Sequence, residues 1–391
     1  MQSALPAAAV RPSGRGPGSN PPPRRFGSGA GSVPISPFSS AQLRLCPGIL
    51  KREPNGFPRM HELLRERLQA AAVPPVLAQF PLDGGALIAA FAPSGDRRLR
   101  WLAKTAYGPA ACRRLEAEAR ALSLLAPLAA ELTLPSLLAF RHTGAGDAAS
   151  ACLVQSAVGG QRIHCRWNGS PQAPFPRPMQ LAQRWLERFQ ESACSLPLSL
   201  PTLAKVGADT ASCATQALQT DPKLTPLLAW VPQFFATPGP SLRAVAIHGD
   251  FWPGNVLWDA RSDSVGVIDW SGFGAGSALD DLLTWMTQMP AGRTQRPLSR
   301  VQSWPAVLFR PGRAQQNLLA WSQRAGYDAA TARYALYLFL ARRLLWELGF
   351  GLQSRGPAER DWTRREWSAV LTWLAERQFP TLGTTFPAPF A

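Results

Sequence analysis

Residues 247–257 read Ile-His-Gly-Asp-Phe-Trp-Pro-Gly-Asn-Val-Leu and set a carboxylate, Asp250, and a carboxamide, Asn255, on a turn rich in glycine and proline. A second carboxylate, Asp269, follows Val265-Gly266-Val267-Ile268, fourteen residues after Asn255. Two carboxylates and an amide oxygen suit a reaction in which the protein forms no bond itself but grips a hard cation and aims a hydroxyl. Phosphoryl transfer is such a reaction, since it depends mainly on positioning and on neutralising phosphate charge. In that chemistry Asp250 would orient the acceptor hydroxyl or take its proton, while Asn255 and Asp269 would bind Mg²⁺ bridging nucleotide phosphates. His248 is read as a brace that hydrogen-bonds within the loop rather than as a base.

The elements that must hold these groups follow from periodicity. Apolar runs before His248, after Asn255 and before Asp269 read as short strands, and residues 259–263 supply a turn. The resulting hairpin returns Asp269 to the side of Asn255. Upstream, residues 79–105 read as strands broken by Gly84-Gly85 and by Pro93-Ser94-Gly95-Asp96. Residues 112–125 form an amphipathic helix carrying Leu115, Leu122 and Leu125, and residues 151–156 form a strand ending at Gly159-Gly160, a hinge into a second lobe. From Met179 the pattern is mainly helical until Ala244, and helices return over 315–324, 329–348 and 362–377. No internal repeat is present.

Residues 247–257 and 265–270 resemble the aminoglycoside phosphotransferase and choline kinase family, whose catalytic loop reads H-G-D-x-x-x-x-N and whose metal motif reads I-D-W or I-D-F/Y. The resemblance implies an α+β, two-lobed protein-kinase-like fold, with a small N-terminal antiparallel sheet plus helix and a larger, mainly helical C-terminal lobe. It implies ATP or GTP as phosphate donor and Mg²⁺ as the metal. Lys104, on the third strand, would pair with the α- and β-phosphates, and Glu118 on the following helix, or else Glu116, would pair with Lys104. Backbone groups around Gln155 to Ala157 would meet the purine base. Gly84 and Gly85 would let backbone amides approach the phosphates, although a simple hairpin turn explains the pair equally well. Asp281, in Asp280-Asp281-Leu282, would cap its helix or brace the catalytic loop through backbone amides.

Composition bounds the rest. The 391 residues carry 41 Lys and Arg against 25 Asp and Glu, a net charge of +16. Residues 1–59 hold eight basic side chains and one acid, or +7, in a Pro/Gly/Arg-rich stretch without apolar periodicity that reads as a disordered tail. An alternative is a native start at Met60, before the helix-like pattern at 61–72. Residues 60–156 then form the nucleotide-binding lobe, and 157–391 the lobe with the catalytic loop and acceptor site. Because much of the excess charge is in the tail and aromatic-rich basic patterns are missing, no nucleic-acid partner is expected. The six cysteines show no metal-site spacing, and no apolar run is long enough to span a bilayer. A cytoplasmic protein with a small-molecule hydroxyl substrate is the expectation, with its oligomeric state left open.

Charge also bears on the acceptor. From residue 291 onward there are fourteen Arg and six acids, which argues against a polycationic antibiotic and toward a neutral or anionic compound such as a sugar or sugar derivative. Six of the fourteen tryptophans lie in the same segment, where they could stack on a sugar or cage a quaternary ammonium, or simply form helix core. A catalytically silent relative that only binds nucleotide or a partner is the competing reading. The full set Lys104, Asp250, Asn255 and Asp269 opposes it.

Overall fold

The computed structural model describes residues 76–82, 86–91, 99–163, 177–288, 313–353 and 357–376. Gly84, Gly85, the 61–72 helix and the 93–96 turn expected from the sequence lie outside the described residues. The architecture is α+β. Five antiparallel strands, β1 (Val76–Leu82), β2 (Ala86–Phe91), β3 (Trp101–Tyr107), β4 (Leu137–Thr143) and β5 (Ser150–Ser156), form one sheet in the order β1-β2-β3-β5-β4. Strand β4 was not anticipated; its polar Arg141-His142-Thr143 end obscures the alternation of an edge strand.

The central strand is β3, where Lys104 stands opposite Ile88 on one side and Leu153 on the other. Helix α1 (Pro109–Leu124) follows directly, with Pro109 in its first turn, where a missing N–H costs nothing. Its buried stripe, Cys112, Leu115, Ala119 and Leu122, packs on the sheet, and Glu118 falls within that stripe. A carboxylate on a buried helix face needs a partner in the core.

The remaining helices build the second lobe: α2 (Arg177–Ala193), α3 (Leu203–Thr220), α4 (Asp280–Thr287), α5 (Arg313–Arg324), α6 (Ala329–Gln353) and α7 (Pro357–Glu376). Helix α2 buries Met179, Ala182, Trp185, Leu186 and Phe189 along one face. Its Trp185 ring stacks on Phe189 at 5.4 Å and on Phe251 at 5.6 Å, so the floor of the 247–257 loop is aromatic core. Short strands β7 (Val245–Ile247) and β10 (Gly274–Gly276) pair antiparallel, and β8 (Val256–Asp259) and β9 (Ser264–Val267) form the expected hairpin, edged by β6 (Gln161–Arg162). Among the described residues no helix is long and apolar enough to cross a membrane.

Candidate active site

The hairpin register sets the geometry of the centre. Val256 stands opposite Val267, and the Ile268 N–H donates to the Asn255 carbonyl at 3.0 Å, so Asn255 and Asp269 leave the two strands side by side. Asn255 then reaches back along its own loop. Its Nδ2 donates to the Asp250 carbonyl at 3.0 Å and to Asp250 Oδ2 at 3.1 Å.

Gly249 makes the loop possible. It sits at φ +82, and a Cβ there would press into the Gly272 carbonyl. Both amides of the turn are held from below by Asp281: the His248 N–H donates to Oδ2 at 2.6 Å and the Gly249 N–H to Oδ1 at 2.9 Å. Of the two structural roles the sequence left open for Asp281, the bonds are those of a brace; helix α4 begins after Leu279 without a side-chain cap. Burial pushes the Asp281 carboxyl up to about 7, with the two amide bonds opposing.

His248 is fully buried and its bonds fix its tautomer. The Asp250 N–H can only donate, so Nδ1 accepts it at 3.2 Å, and the Ile268 carbonyl can only accept, so Nε2 carries the hydrogen at 3.1 Å. Both bonds are met by neutral imidazole, and burial lowers the ring to about 4. Packed edge-on to Trp270 at 4.5 Å, His248 ties the strand carrying Asp269 to the loop carrying Asp250.

Lys104 enters from the sheet. Its Nζ lies 2.6 and 2.8 Å from the two Glu118 oxygens and 3.8 Å from Asp269 Oδ1. Glu116 instead turns outward to Arg120 at 3.7 Å, so the structure brings Glu118 and not Glu116 to the lysine. Burial disfavours the Lys104 ammonium, but Glu118 and Asp269 outweigh it and raise the group above its ordinary value. For Asp269 burial likewise opposes ionisation, and Lys104 with Arg114 overcomes it, holding the carboxyl below the ordinary value. Asp269 also sits in the left-handed region at φ +66, an unusual conformation for a residue with a side chain and one that Asp tolerates.

Around Gln155 the structure narrows the expectation. The Ser156 N–H donates to the Ser136 carbonyl at 2.9 Å and the Ala157 N–H to the Arg100 carbonyl at 2.8 Å, so neither amide hydrogen is left for a base. The side chain of Gln155 stands out instead. Residues paired across an antiparallel ladder share a face, as do alternate residues of a strand, so Gln155, opposite Leu102, faces the same side of the sheet as Lys104. It is 1% exposed, and its Oε1 has no hydrogen-bond partner.

One group was missed by sequence reasoning. Arg343, on α6, places Nη1 3.3 Å from Asp250 Oδ1 and Nε 2.7 Å from Glu347 Oε1. Its neighbour Arg342 bonds Asp280 Oδ2 and the Ala275 carbonyl, both at 2.8 Å. The signal was available: two arginines and a glutamate interrupt an otherwise apolar run from Tyr334 to Leu348. Charges on the buried side of such a helix must meet counter-charges.

The donor set fits a magnesium-type cation. Among the described residues no three His, Cys, Asp or Glu side chains cluster to form an all-protein cage. Mg²⁺ in phosphotransfer sites is held by one or two protein oxygens together with phosphates, which Asn255 Oδ1 and Asp269 could supply.

A family model described as the phosphotransferase enzyme family matches residues 80–327. No curated protein matches. Solved structures similar to this chain include a Ralstonia eutropha protein assigned to the aminoglycoside phosphotransferases, at 14% identity over 82% of this chain and 98% of that one, with a TM-score of 0.49. An amicoumacin kinase in complex with AMP-PNP and Ca²⁺ is similar at 12% identity over 84% and 97%, with a TM-score of 0.47. A choline kinase from Cryptosporidium parvum is similar at 12% identity over 86% and 97%, with a TM-score of 0.45.

Proposed function

Because the chain belongs to the phosphotransferase enzyme family, we propose that it transfers the γ-phosphate of ATP or GTP to a hydroxyl of a small molecule, with Asp250 receiving that hydroxyl. The observation carrying this reading is the convergence of the Asp250 carboxylate, the Asn255 amide and the Asp269 carboxylate, with Lys104 Nζ 3.8 Å from Asp269. Mg²⁺, when bound through Asn255 and Asp269, would offset the charge of the phosphates. The chain itself orients the groups: Glu118 directs the ammonium of Lys104, Asp281 and His248 fix the loop, and Asn255 holds one oxygen of Asp250.

Gln155 supports a purine nucleotide as the donor, since its buried carboxamide can accept from the exocyclic amine of adenine through Oε1 or, turned over, donate to the carbonyl of guanine through Nε2.

For the acceptor, the positive charge of the C-terminal segment is partly used internally. Arg324 pairs with Glu187, Arg342 with Asp280, and Arg364 with Asp221. Two of the acids there are engaged too: Glu347 lies under Arg343, and Asp328 accepts the Thr331 N–H at 2.7 Å. Trp321 and Trp367 are core, and the Trp346 face is covered by the Arg343 guanidinium at 4.6 Å. That disposition offers little to a polycation or a quaternary ammonium and favours a neutral acceptor, such as a sugar or sugar derivative.

The test is an ADP-release screen across sugars, amino alcohols and aminoglycosides with ATP and Mg²⁺. Turnover of a neutral polyol is the expected result. Nucleotide binding without turnover of any member would turn the reading toward a silent binding module.

A further inference from the structure

A chain of buried polar groups runs from α7 to the catalytic loop. The Trp367 indole N–H donates to Glu347 Oε2 at 3.1 Å, Glu347 Oε1 accepts from Arg343 Nε at 2.7 Å, and Arg343 Nη1 reaches Asp250 Oδ1 at 3.3 Å. Trp367 is fully buried, Glu347 is 2% exposed, and Gln288 sits against the same guanidinium. Every one of these residues except Asp250 and Gln288 lies beyond residue 327, where the family match ends.

We propose that Arg343 is a positioning residue for Asp250, fixing the direction in which its carboxylate meets the acceptor hydroxyl. This rests on the reading that Asp250 receives that hydroxyl. The need for such a residue is a matter of torsions. The last torsion of an Asp side chain joins an sp³ to an sp² carbon and has a broad, nearly two-fold profile, so one anchor leaves the carboxylate free to swing. Asn255 supplies one anchor at Oδ2 and Arg343 the other at Oδ1, from opposite ends of the group. With both oxygens held, rotation about that torsion is blocked and the remaining lone pairs keep fixed directions.

Arg343 is in turn held so that it cannot follow the carboxylate. Glu347 is one helical turn away on the same face, the i,i+4 spacing that brings two long side chains together, and the Trp367 indole locks the far oxygen of Glu347. The ring of Trp346 covers the guanidinium. A flexible surface arginine would add charge without direction; this one adds direction.

The test uses the full chain and two readouts. The first is ATP hydrolysis to water, in which water stands in for the acceptor, so no acceptor need be known. The second is nucleotide affinity. Arg343→Ala should lower kcat by ~10- to 100-fold, the cost of about an ångström of misplacement, with nucleotide affinity unchanged and with part of kcat restored by added guanidinium. Trp367→Phe, which removes the N–H that holds Glu347 together with part of the buried ring, should give a smaller loss of kcat in the same direction. Unchanged kcat in Arg343→Ala overturns the proposal, as does a loss shared equally by nucleotide affinity and insensitive to guanidinium, which marks a merely structural pair. If the unsubstituted chain neither hydrolyses nor transfers phosphate, the kinase reading itself fails, and the Arg343 proposal with it. If it is active and Asp250→Asn is inactive while Arg343→Ala is normal, the Arg343 proposal alone fails.

Discussion

Lys104 Nζ and Asp269 Oδ1 stand 3.8 Å apart, one on the central strand of the sheet and the other at the end of the β8–β9 hairpin. That separation is an ion pair bridging the two lobes. On the proposed reading, a triphosphate bound here would bring negative charge to the lysine, and its cation would lie on the side of the aspartate.

Asp250→Asn should reduce turnover by ~10²- to 10⁴-fold, the usual contribution of a positioned proton acceptor. Nucleotide affinity should hardly change, because Asn keeps the size of the side chain and the loop is braced from below by Asp281. Steady-state kinetics with a nucleotide titration checks both, and full activity in the variant would remove Asp250 from its role.

Lys104→Met should weaken nucleotide binding and also cost ~3–5 kcal/mol of stability, because it leaves Glu118 buried without a counter-charge. Adding Glu118→Gln should recover part of the stability and none of the binding. Denaturant unfolding of the two single variants and the double variant separates these effects; additive losses in stability would contradict a coupled pair.

Asp269→Asn should raise the Mg²⁺ concentration needed for nucleotide binding while leaving the fold intact, since Asn also tolerates the left-handed backbone at φ +66. Identical metal titrations of the variant and the original chain would exclude Asp269 as a ligand.

His248 and Asp281 make opposite contributions to the pH dependence of stability. His248 falls from its ordinary 6.5 to about 4 in the folded chain, so the unfolded chain binds more protons between those values and stability rises with pH across that window. Asp281 rises from 3.8 to about 7, so the folded chain holds the extra proton and stability falls as pH climbs through that wider window. The two offset each other where the windows overlap. Asp281→Asn should expose the His248 slope, with thermal stability rising from about pH 4 to 6.5; a flat profile in that variant would count against a buried neutral His248.

Gly249→Ala should destabilise the loop by ~1–3 kcal/mol and abolish activity, because the strained backbone and the clash with Gly272 act together. Circular dichroism and activity on the same preparation test it.

The catalytic loop was legible because each polar residue follows or precedes an apolar run, and the hairpin that joins Asn255 to Asp269 is local chemistry. Lys104 and Glu118 were legible from the resemblance, but choosing Glu118 over Glu116 required burial, which depends on how α1 packs on the sheet. Strand β4 was hidden by its polar end. Arg343 stands out in the sequence as a charge within an apolar run, but its pairing with Asp250 could not be read there, because that partner is 93 positions away and the link is tertiary. The tryptophans show the converse: Trp321 and Trp367 proved to be packing, which no count of aromatic residues could reveal.

The two consecutive arginines of α6 have a practical consequence. Arg342 fastens the helix to Asp280 and the Ala275 carbonyl, while Arg343 meets Asp250, so a single turn of helix clamps both the support and the centre of the site. A shortened expression product ending near residue 327 would still display every recognisable motif. It would lack this clamp, and its inactivity would reflect the cut rather than the motifs.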